Sequence, residues 1–133
     1  MIAFTILGEP ASKANSRKLV TIAGHPAVIK SEKALSYERD AARQIPTSAR
    51  KSIQVPVRVT LRIWYATERP DLDESLILDV LQDRWGKGAD GTKRVLIQPG
   101  VYRNDRLVRE KHVYHAIDKA NPRTEIEIEE LTP

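Results

Sequence analysis

Alternation of apolar and polar positions is clearest from Val55 to Thr67, where apolar side chains recur at every second residue. A period of two predicts a strand with one buried face and one exposed face. The apolar series is Val57, Val59, Leu61, Ile63 and Tyr65. A first strand is predicted at Ile2 to Leu7, and a hairpin from residues 19–22 and 27–30 around a Gly-His-Pro turn.

Helical spacing of apolar residues predicts two helices. The first begins after an N-cap at Ser31 and ends near Gln44, with Leu35 among its core-facing residues. The second runs from about Leu72 to Trp85 and is followed by a basic loop at residues 86–94. These elements predict one α+β domain over residues 1–133, with a mixed β-sheet flanked by helices.

Composition limits the classes of protein that fit. The 133 residues are 41% hydrophobic and 30% charged, which is typical of one globular domain. Cysteine is absent from the sequence, which excludes disulfides and thiolate metal sites. We expect a cytoplasmic protein, because no stretch is long and apolar enough for a membrane span or a signal peptide.

The charge is unevenly distributed. Residues 1–66 contain 11 Lys/Arg and 4 Asp/Glu, a balance of +7, whereas residues 67–133 contain 11 and 14, a balance of −3. The basic half favours a polyanionic partner such as nucleic acid. Ordinary surface solvation is the alternative, since the net charge of +4 is common in small domains.

Two carboxylates stand one residue apart in the segment Arg69-Pro70-Asp71-Leu72-Asp73. In extended chain, residues i and i+2 project to the same side, so Asp71 and Asp73 can converge on a divalent cation. The alternative is a helix cap, because Asp71 precedes Glu74 by three residues, as in a capping box. Asp105, in an Asn-Asp step that is otherwise typical of a turn, is the candidate third ligand for Mg²⁺.

Basic residues supply candidate contacts to phosphate. A polar loop of small residues contains Lys13, Arg17 and Lys18, and it is suited to lie along a phosphate backbone. Arg58 and Arg62 share one face of the long strand, where either phosphate binding or plain solvation explains them. Further candidates for DNA contacts are Arg69, Lys87, Lys93 and Arg94.

The order of these motifs resembles the RusA-type Holliday junction resolvases of bacteria and their phages. The similarity rests on the opening Phe4 to Pro10 with Lys13 behind it, on Arg69 to Asp73, on Leu78 to Leu81, and on Gly100-Val101 leading to Asn104-Asp105 and Val108. Together these blocks cover most of the chain. The resemblance implies that Asp71, Asp73 and Asp105 are the catalytic carboxylates and hold the metal.

Two departures from the family pattern concern the same region. Glu74 stands where the family has Asn, and Ile77 stands where it has a catalytic lysine. The stretch from Asp83 to Pro99 is also longer than the resemblance implies. Lys87, Lys93 or Arg94 is a candidate replacement for the missing charge. If position 77 faces the site, Ile77→Lys should raise the cleavage rate.

The expected activity is therefore that of an endodeoxyribonuclease that resolves branched DNA with Mg²⁺ or Mn²⁺. Carboxylate-bound metal ions activate water and stabilise the leaving alkoxide without a histidine or serine nucleophile. A homodimer is expected, since cutting two opposed strands calls for two sites related by a twofold axis. The alternatives are a module that binds branched or duplex DNA without cutting it, favoured by Ile77, and a structure-nonspecific nuclease.

Overall fold

A four-stranded mixed sheet carries the fold, with two separate hairpins and two α-helices around it. The computed structural model describes residues 1–11, 17–68, 73–89, 91 and 94–131. Over these residues the strands are β1 (Ile2–Leu7), β2 (Arg17–Ile22), β3 (His25–Lys30), β4 (Val57–Tyr65), β5 (Arg84–Lys87), β6 (Arg94–Gln98), β7 (Val108–Ile117) and β8 (Arg123–Glu130). The helices are α1 (Glu32–Gln44) and α2 (Ser75–Val80), and short 3₁₀ turns lie at Thr47–Ala49 and Asp105–Leu107.

The order of strands in the sheet is β1-β8-β4-β7. β8 pairs antiparallel with both β1 and β4, whereas β7 runs parallel to β4. The hairpins β2-β3 and β5-β6 form small sheets of their own. This arrangement confirms the predicted α+β class and its mixed sheet.

The long strand β4 alternates strictly between the two faces of the sheet. Its apolar series from Val57 to Tyr65 is buried, and the intervening side chains are half-buried on the other face. The buried face belongs to one core with Ala34, Tyr37 and Ala41 of α1. Leu35 is 42% exposed, so its predicted place in the core was wrong. Tyr37 is buried instead.

Ser31 caps α1 as predicted. Its hydroxyl oxygen accepts a hydrogen bond from the backbone N–H of Ala34 at 3.2 Å. This contact satisfies one of the free donors of the first helical turn. The chain leaves the helix at Ile45, whose extended conformation agrees with Pro46 as the next residue.

The second helix is much shorter than its predicted range of Leu72 to Trp85. α2 ends at Val80, and the chain then forms β5 where helix was expected. The helix ends because Asp83 donates its backbone N–H to Tyr102 O at 3.0 Å, a pairing the local pattern does not reveal. Part of the predicted loop at 86–94 consequently belongs to the hairpin β5-β6. Ile77 is fully buried in the core, so the expectation that it faces a charged site was wrong.

Candidate functional site

Three chain segments meet beside the end of α2. Val101 donates its N–H to Leu81 O at 2.7 Å, and Ser52 donates its N–H to Gly100 O at 2.9 Å. A Cβ at position 100 would lie 2.3 Å from the carbonyl carbon of Gln82, so only glycine allows this approach. The contact brings the 3₁₀ turn that begins at Asp105 next to the last turn of α2.

A buried carboxylate fixes the same junction. Asp83 accepts hydrogen bonds from Ser52 Oγ and from the backbone N–H of Gly100, both at 2.7 Å. The Asp83 residue is 8% exposed, and both of its oxygens are used. Its role is therefore to hold the three segments together.

Asp79 and Asp105 lie near each other at this junction. Burial raises the pKa of Asp79; Lys30 lowers it, and the charge of Asp105 raises it further. The pKa of Tyr102 is raised by burial first and then by Asp105 and Asp79. Asp105 is positioned by its backbone N–H, which donates to Gln82 Oε1 at 3.1 Å. The two carboxylates thus share one electrostatic environment.

Lys30 and Glu38 border the same region. The Lys30 ammonium lies 2.5 Å from Glu38 Oε1 and 3.7 Å from Asp79 Oδ2. Because Lys30 makes its nearer contact with Glu38, its positive charge only partly compensates the negative charge of Asp79. This agrees with the net upward direction of its pKa.

These residues line a cleft of about 990 Å³. Four carboxylate residues and seven basic residues contribute to it: Glu38, Asp79, Asp83 and Asp105, with Lys30, Arg39, Arg50, Arg84, Arg94, Arg103 and Arg106. The excess of cations gives the cleft the charge expected of a binding site for a polyanion. The carboxylates among its lining residues are the exception to this charge.

Most of the cleft arginines have no fixed anionic partner. Within the described ranges, Arg39, Arg84, Arg103 and Arg106 make no side-chain hydrogen bond or ion pair. Arg50 differs, because its guanidinium donates to the backbone oxygens of Pro99 and Ala42 at 2.8 and 2.6 Å. Arg50 is therefore structural, whereas Arg39, Arg84, Arg103 and Arg106 are available for a ligand.

The predicted acidic triad is only partly visible. Asp71 lies outside the described residues. Asp73 precedes α2, and its carboxylate accepts from Ser75 N at 3.1 Å and from Ser75 Oγ at 2.8 Å, as in an Asx turn. Glu74 pairs with Lys111 at 2.7 Å. Asp73 and Asp105 therefore lie towards opposite ends of α2, and their joint binding of one ion stays a prediction.

The predicted basic residues fall into four groups. Lys13, Arg69 and Lys93 lie outside the described residues, while Arg17 and Lys18 are exposed on β2. Arg17 is near enough to the cleft for its charge to lower the pKa of Asp79, an effect smaller than that of burial.

Arg58 and Arg62 form ion pairs on the open face of the sheet. Arg58 lies 2.8 Å from Glu110 and 3.3 Å from Glu129, and Arg62 lies 3.3 Å from Glu127. These carboxylates compete with phosphate for both arginines. Lys87 and Arg94, in contrast, are exposed on the β5-β6 hairpin, and Arg94 lines the cleft.

The donor set at the cleft fits Mg²⁺ in a limited way. In the part of the chain that the structure describes, no three His, Asp or Glu side chains form a ligand group. Mg²⁺ is nevertheless commonly bound through one or two carboxylates, with waters and substrate phosphate completing the shell. Asp79 and Asp105 both line the cleft, and they are the carboxylates that would contribute to such a shell.

Sequence reasoning missed Asp79 as a site residue and missed Trp85, Arg103 and Arg106 in the cleft. In the sequence, Asp79 stood out only as part of the motif Leu78 to Leu81, which did not indicate a role for its carboxylate. The other three residues come together through the pairing of segment 100–103 with the end of α2, a long-range contact. Only the density of arginine around Asn104-Asp105 signalled this region in the sequence.

Comparison with known proteins leaves the family open. No protein-family model matches the chain, and no curated protein matches it. Membership of the RusA-type resolvases therefore stays a prediction.

Proposed function

We propose that the protein is a metal-dependent endodeoxyribonuclease that acts on branched DNA, the activity expected of a RusA-type resolvase. The observation that supports this function best is the pair Asp79 and Asp105 in a cleft whose arginines lack anionic partners. Cations without partners suit a phosphodiester backbone, and carboxylates among them suit a divalent metal. Neither feature alone explains the cleft as well.

Each group has a defined task in this proposal. Asp105 and Asp79 would hold Mg²⁺ or Mn²⁺. Asp71 and Asp73 are the further ligands that the resemblance implies; the Asp73 carboxylate accepts from Ser75 at the other end of α2, so its part in holding this ion stays a prediction. When bound, the metal supplies an activated water and stabilises charge on the leaving oxygen. Arg84, Arg103 and Arg106 bind phosphates on either side of the scissile bond and orient the strand.

The catalytic lysine of the family mechanism is replaced here by Ile77. Because position 77 is buried in the core, it cannot present a cation to the cleft. Lys30 already places an ammonium 3.7 Å from Asp79. Charge at the reacting phosphate is then balanced by Lys30 and the cleft arginines rather than by a lysine on α2.

The partner is proposed to be a four-way DNA junction bound by a homodimer in the cytoplasm. Two sites related by a twofold axis match the two opposed strands that must be cut. In the described parts of the chain, no helix is long and apolar enough to cross a membrane.

A matched pair of variants tests the proposal. Asp105→Asn removes a cleft carboxylate, whereas Asp118→Asn removes a carboxylate that pairs with Arg123 at 2.9 Å outside the cleft. We expect the first to abolish Mg²⁺-dependent cleavage of a labelled junction and the second to preserve it. Equal activity of Asp105→Asn and the wild type would contradict the proposed metal site.

The second candidate function is a module that binds junctions without cutting them. The buried Ile77 and the hydrogen bonds by which Ser75 occupies the Asp73 carboxylate favour it. Binding by electrophoretic mobility shift together with no product in Mg²⁺ or Mn²⁺ would establish this alternative. Relaxation of plasmid DNA as fast as junction cleavage would instead indicate a structure-nonspecific nuclease.

A further inference from the structure

The β5-β6 hairpin presents an aromatic and basic face. Trp85 pairs with Leu96, and Lys87 pairs with Arg94. Cross-strand partners project to the same side, so these four side chains share one face of the hairpin, and all four are exposed. On the other face, Ile97 packs within 2.9 Å of the Cβ position of Gly86.

Trp85 is 40% exposed and lines the cleft together with Arg94. The guanidinium carbon of Arg94 lies 5.8 Å from the centre of the indole ring. Arg94 has no carboxylate partner among the described residues, so its charge remains available to an anion. An exposed tryptophan beside such cations indicates a ligand with a flat apolar face and negative charge.

Trp64, the other tryptophan of the chain, has a structural role and serves as a comparison for Trp85. Trp64 is half-buried on the open face of the sheet, and Arg123 lies 4.0 Å from its ring centre. Arg123 is held in place by Asp118 at 2.9 Å. Trp64 is therefore covered by an arginine that an ion pair holds in place. The arginine beside Trp85, Arg94, lies farther from the ring and has no carboxylate partner among the described residues.

We infer that Trp85 is a stacking platform for an unpaired DNA base in the cleft. A nucleobase supplies the flat face, and the adjoining phosphates supply anions for Arg84, Arg94 and Arg103. Bases within duplex DNA are already stacked on both sides, so the site selects single-stranded DNA or the open bases at a branch point. The inference rests on the proposed nucleic-acid activity of the cleft, but it does not depend on cleavage.

Tryptophan fluorescence tests this site directly. Because the chain has two tryptophans, Trp64→Phe leaves Trp85 as the sole indole emitter, and Trp85→Phe leaves Trp64. Each protein is titrated with oligothymidine of about ten nucleotides in EDTA, so that metal-dependent cleavage does not contribute. Binding is followed in parallel by the anisotropy of a labelled oligonucleotide.

We expect oligothymidine to quench the emission of the Trp64→Phe protein and to leave that of the Trp85→Phe protein nearly unchanged. Trp85→Leu should weaken binding by about 5- to 100-fold, the loss that corresponds to one stacked base. Trp85→Phe should restore most of the affinity, because phenylalanine keeps an aromatic ring. An unchanged circular dichroism spectrum confirms that each variant is folded.

Three results would overturn the inference. One is saturating binding by anisotropy without a change in Trp85 emission. Another is quenching by duplex DNA as strong as that by single strands, and a third is equal quenching by a polyglutamate peptide, which would indicate a site for acidic proteins. Failure of the nuclease proposal is distinguishable, because a protein that never cleaves DNA would still show quenching of Trp85.

Discussion

Asp105 lies close enough to Asp79 for its charge to add to burial in raising the pKa of Asp79. The Asp105 carboxylate belongs to an exposed 3₁₀ turn, and Asp79 belongs to the last turn of α2. The nearby charge of Asp105 thus opposes the ionised form of Asp79, although most of the charged residues that line the cleft are cationic. In the proposed function, a bound divalent cation would relieve this repulsion.

The first prediction is that Asp79→Asn loses activity without losing stability. A raised folded-state pKa means that the charged form of Asp79 is disfavoured by folding, so the ionised side chain lowers stability at neutral pH. The neutral amide removes this penalty. Chemical denaturation at pH 7 should therefore give a free energy of unfolding equal to or above that of the wild type.

The stability difference for Asp79→Asn should also depend on pH. It should disappear as the pH falls below about 3.9, the ordinary pKa of Asp, because both states are then protonated. Metal-dependent cleavage should be lost at neutral pH in the same variant. A large loss of stability together with intact cleavage would show that Asp79 is structural.

The second prediction concerns Asp83, the other carboxylate of this junction. Asp83→Ala leaves Ser52 Oγ and the Gly100 N–H without their acceptor. Each buried donor left without a partner costs about 1–3 kcal/mol. Thermal unfolding should therefore show a clear fall in the midpoint, in contrast to Asp79→Asn. An unchanged midpoint would mean that Asp83 does not hold the junction.

The third prediction is that Ile77→Lys destabilises the protein and does not increase cleavage. Ile77 is fully buried, and a lysine there must bury its ammonium or disrupt α2. The loss should exceed that of Ile77→Ala, for which about 2–5 kcal/mol is expected. Denaturant unfolding of both variants measures the difference. A folded Ile77→Lys protein that cleaves faster would place position 77 at the site after all.

The fourth prediction separates cleft arginines from sheet arginines by the salt dependence of DNA binding. Neutralising Arg103 and Arg106 together should weaken binding to all sequences and reduce the slope of log K against log salt by about two. Neutralising Arg58 and Arg62 should change the slope little, because glutamates already pair with them. A larger change in slope on neutralising Arg58 and Arg62 would indicate that DNA binds to the open face of the sheet.

The sequence predicted the elements whose pattern is local. The alternation from Val57 to Tyr65 and the cap at Ser31 were confirmed, because burial of one face and capping of one turn are set by near neighbours. The second helix was predicted too long, because its end is fixed by the Asp83 N–H and Tyr102 O contact, which joins distant segments.

The residues of the candidate site also divide into those indicated by a local motif and those brought together by long-range contacts. Asp105 was predicted from its motif, and it lines the cleft; its role as a metal ligand stays a prediction. Trp85 could not be assigned, because α2 was expected to continue through it and the β5-β6 pairing was not apparent. Asp79 lies on α2 as predicted, but its proximity to Asp105 depends on the long-range pairing of segment 100–103 with the end of the helix. Ile77 was misplaced for a related reason, since its direction depends on where the helix begins.

Cleavage of a four-way junction with each strand labelled in turn tests the claim that the protein is a metal-dependent junction resolvase. Wild-type protein is incubated with the junction in Mg²⁺, in Mn²⁺ and in EDTA, and binding is measured on the same samples. We predict paired cuts in two opposed strands near the branch point with either metal, and intact but bound junction in EDTA. Bound junction that stays uncut under all three conditions would contradict the claim and establish the non-cleaving module.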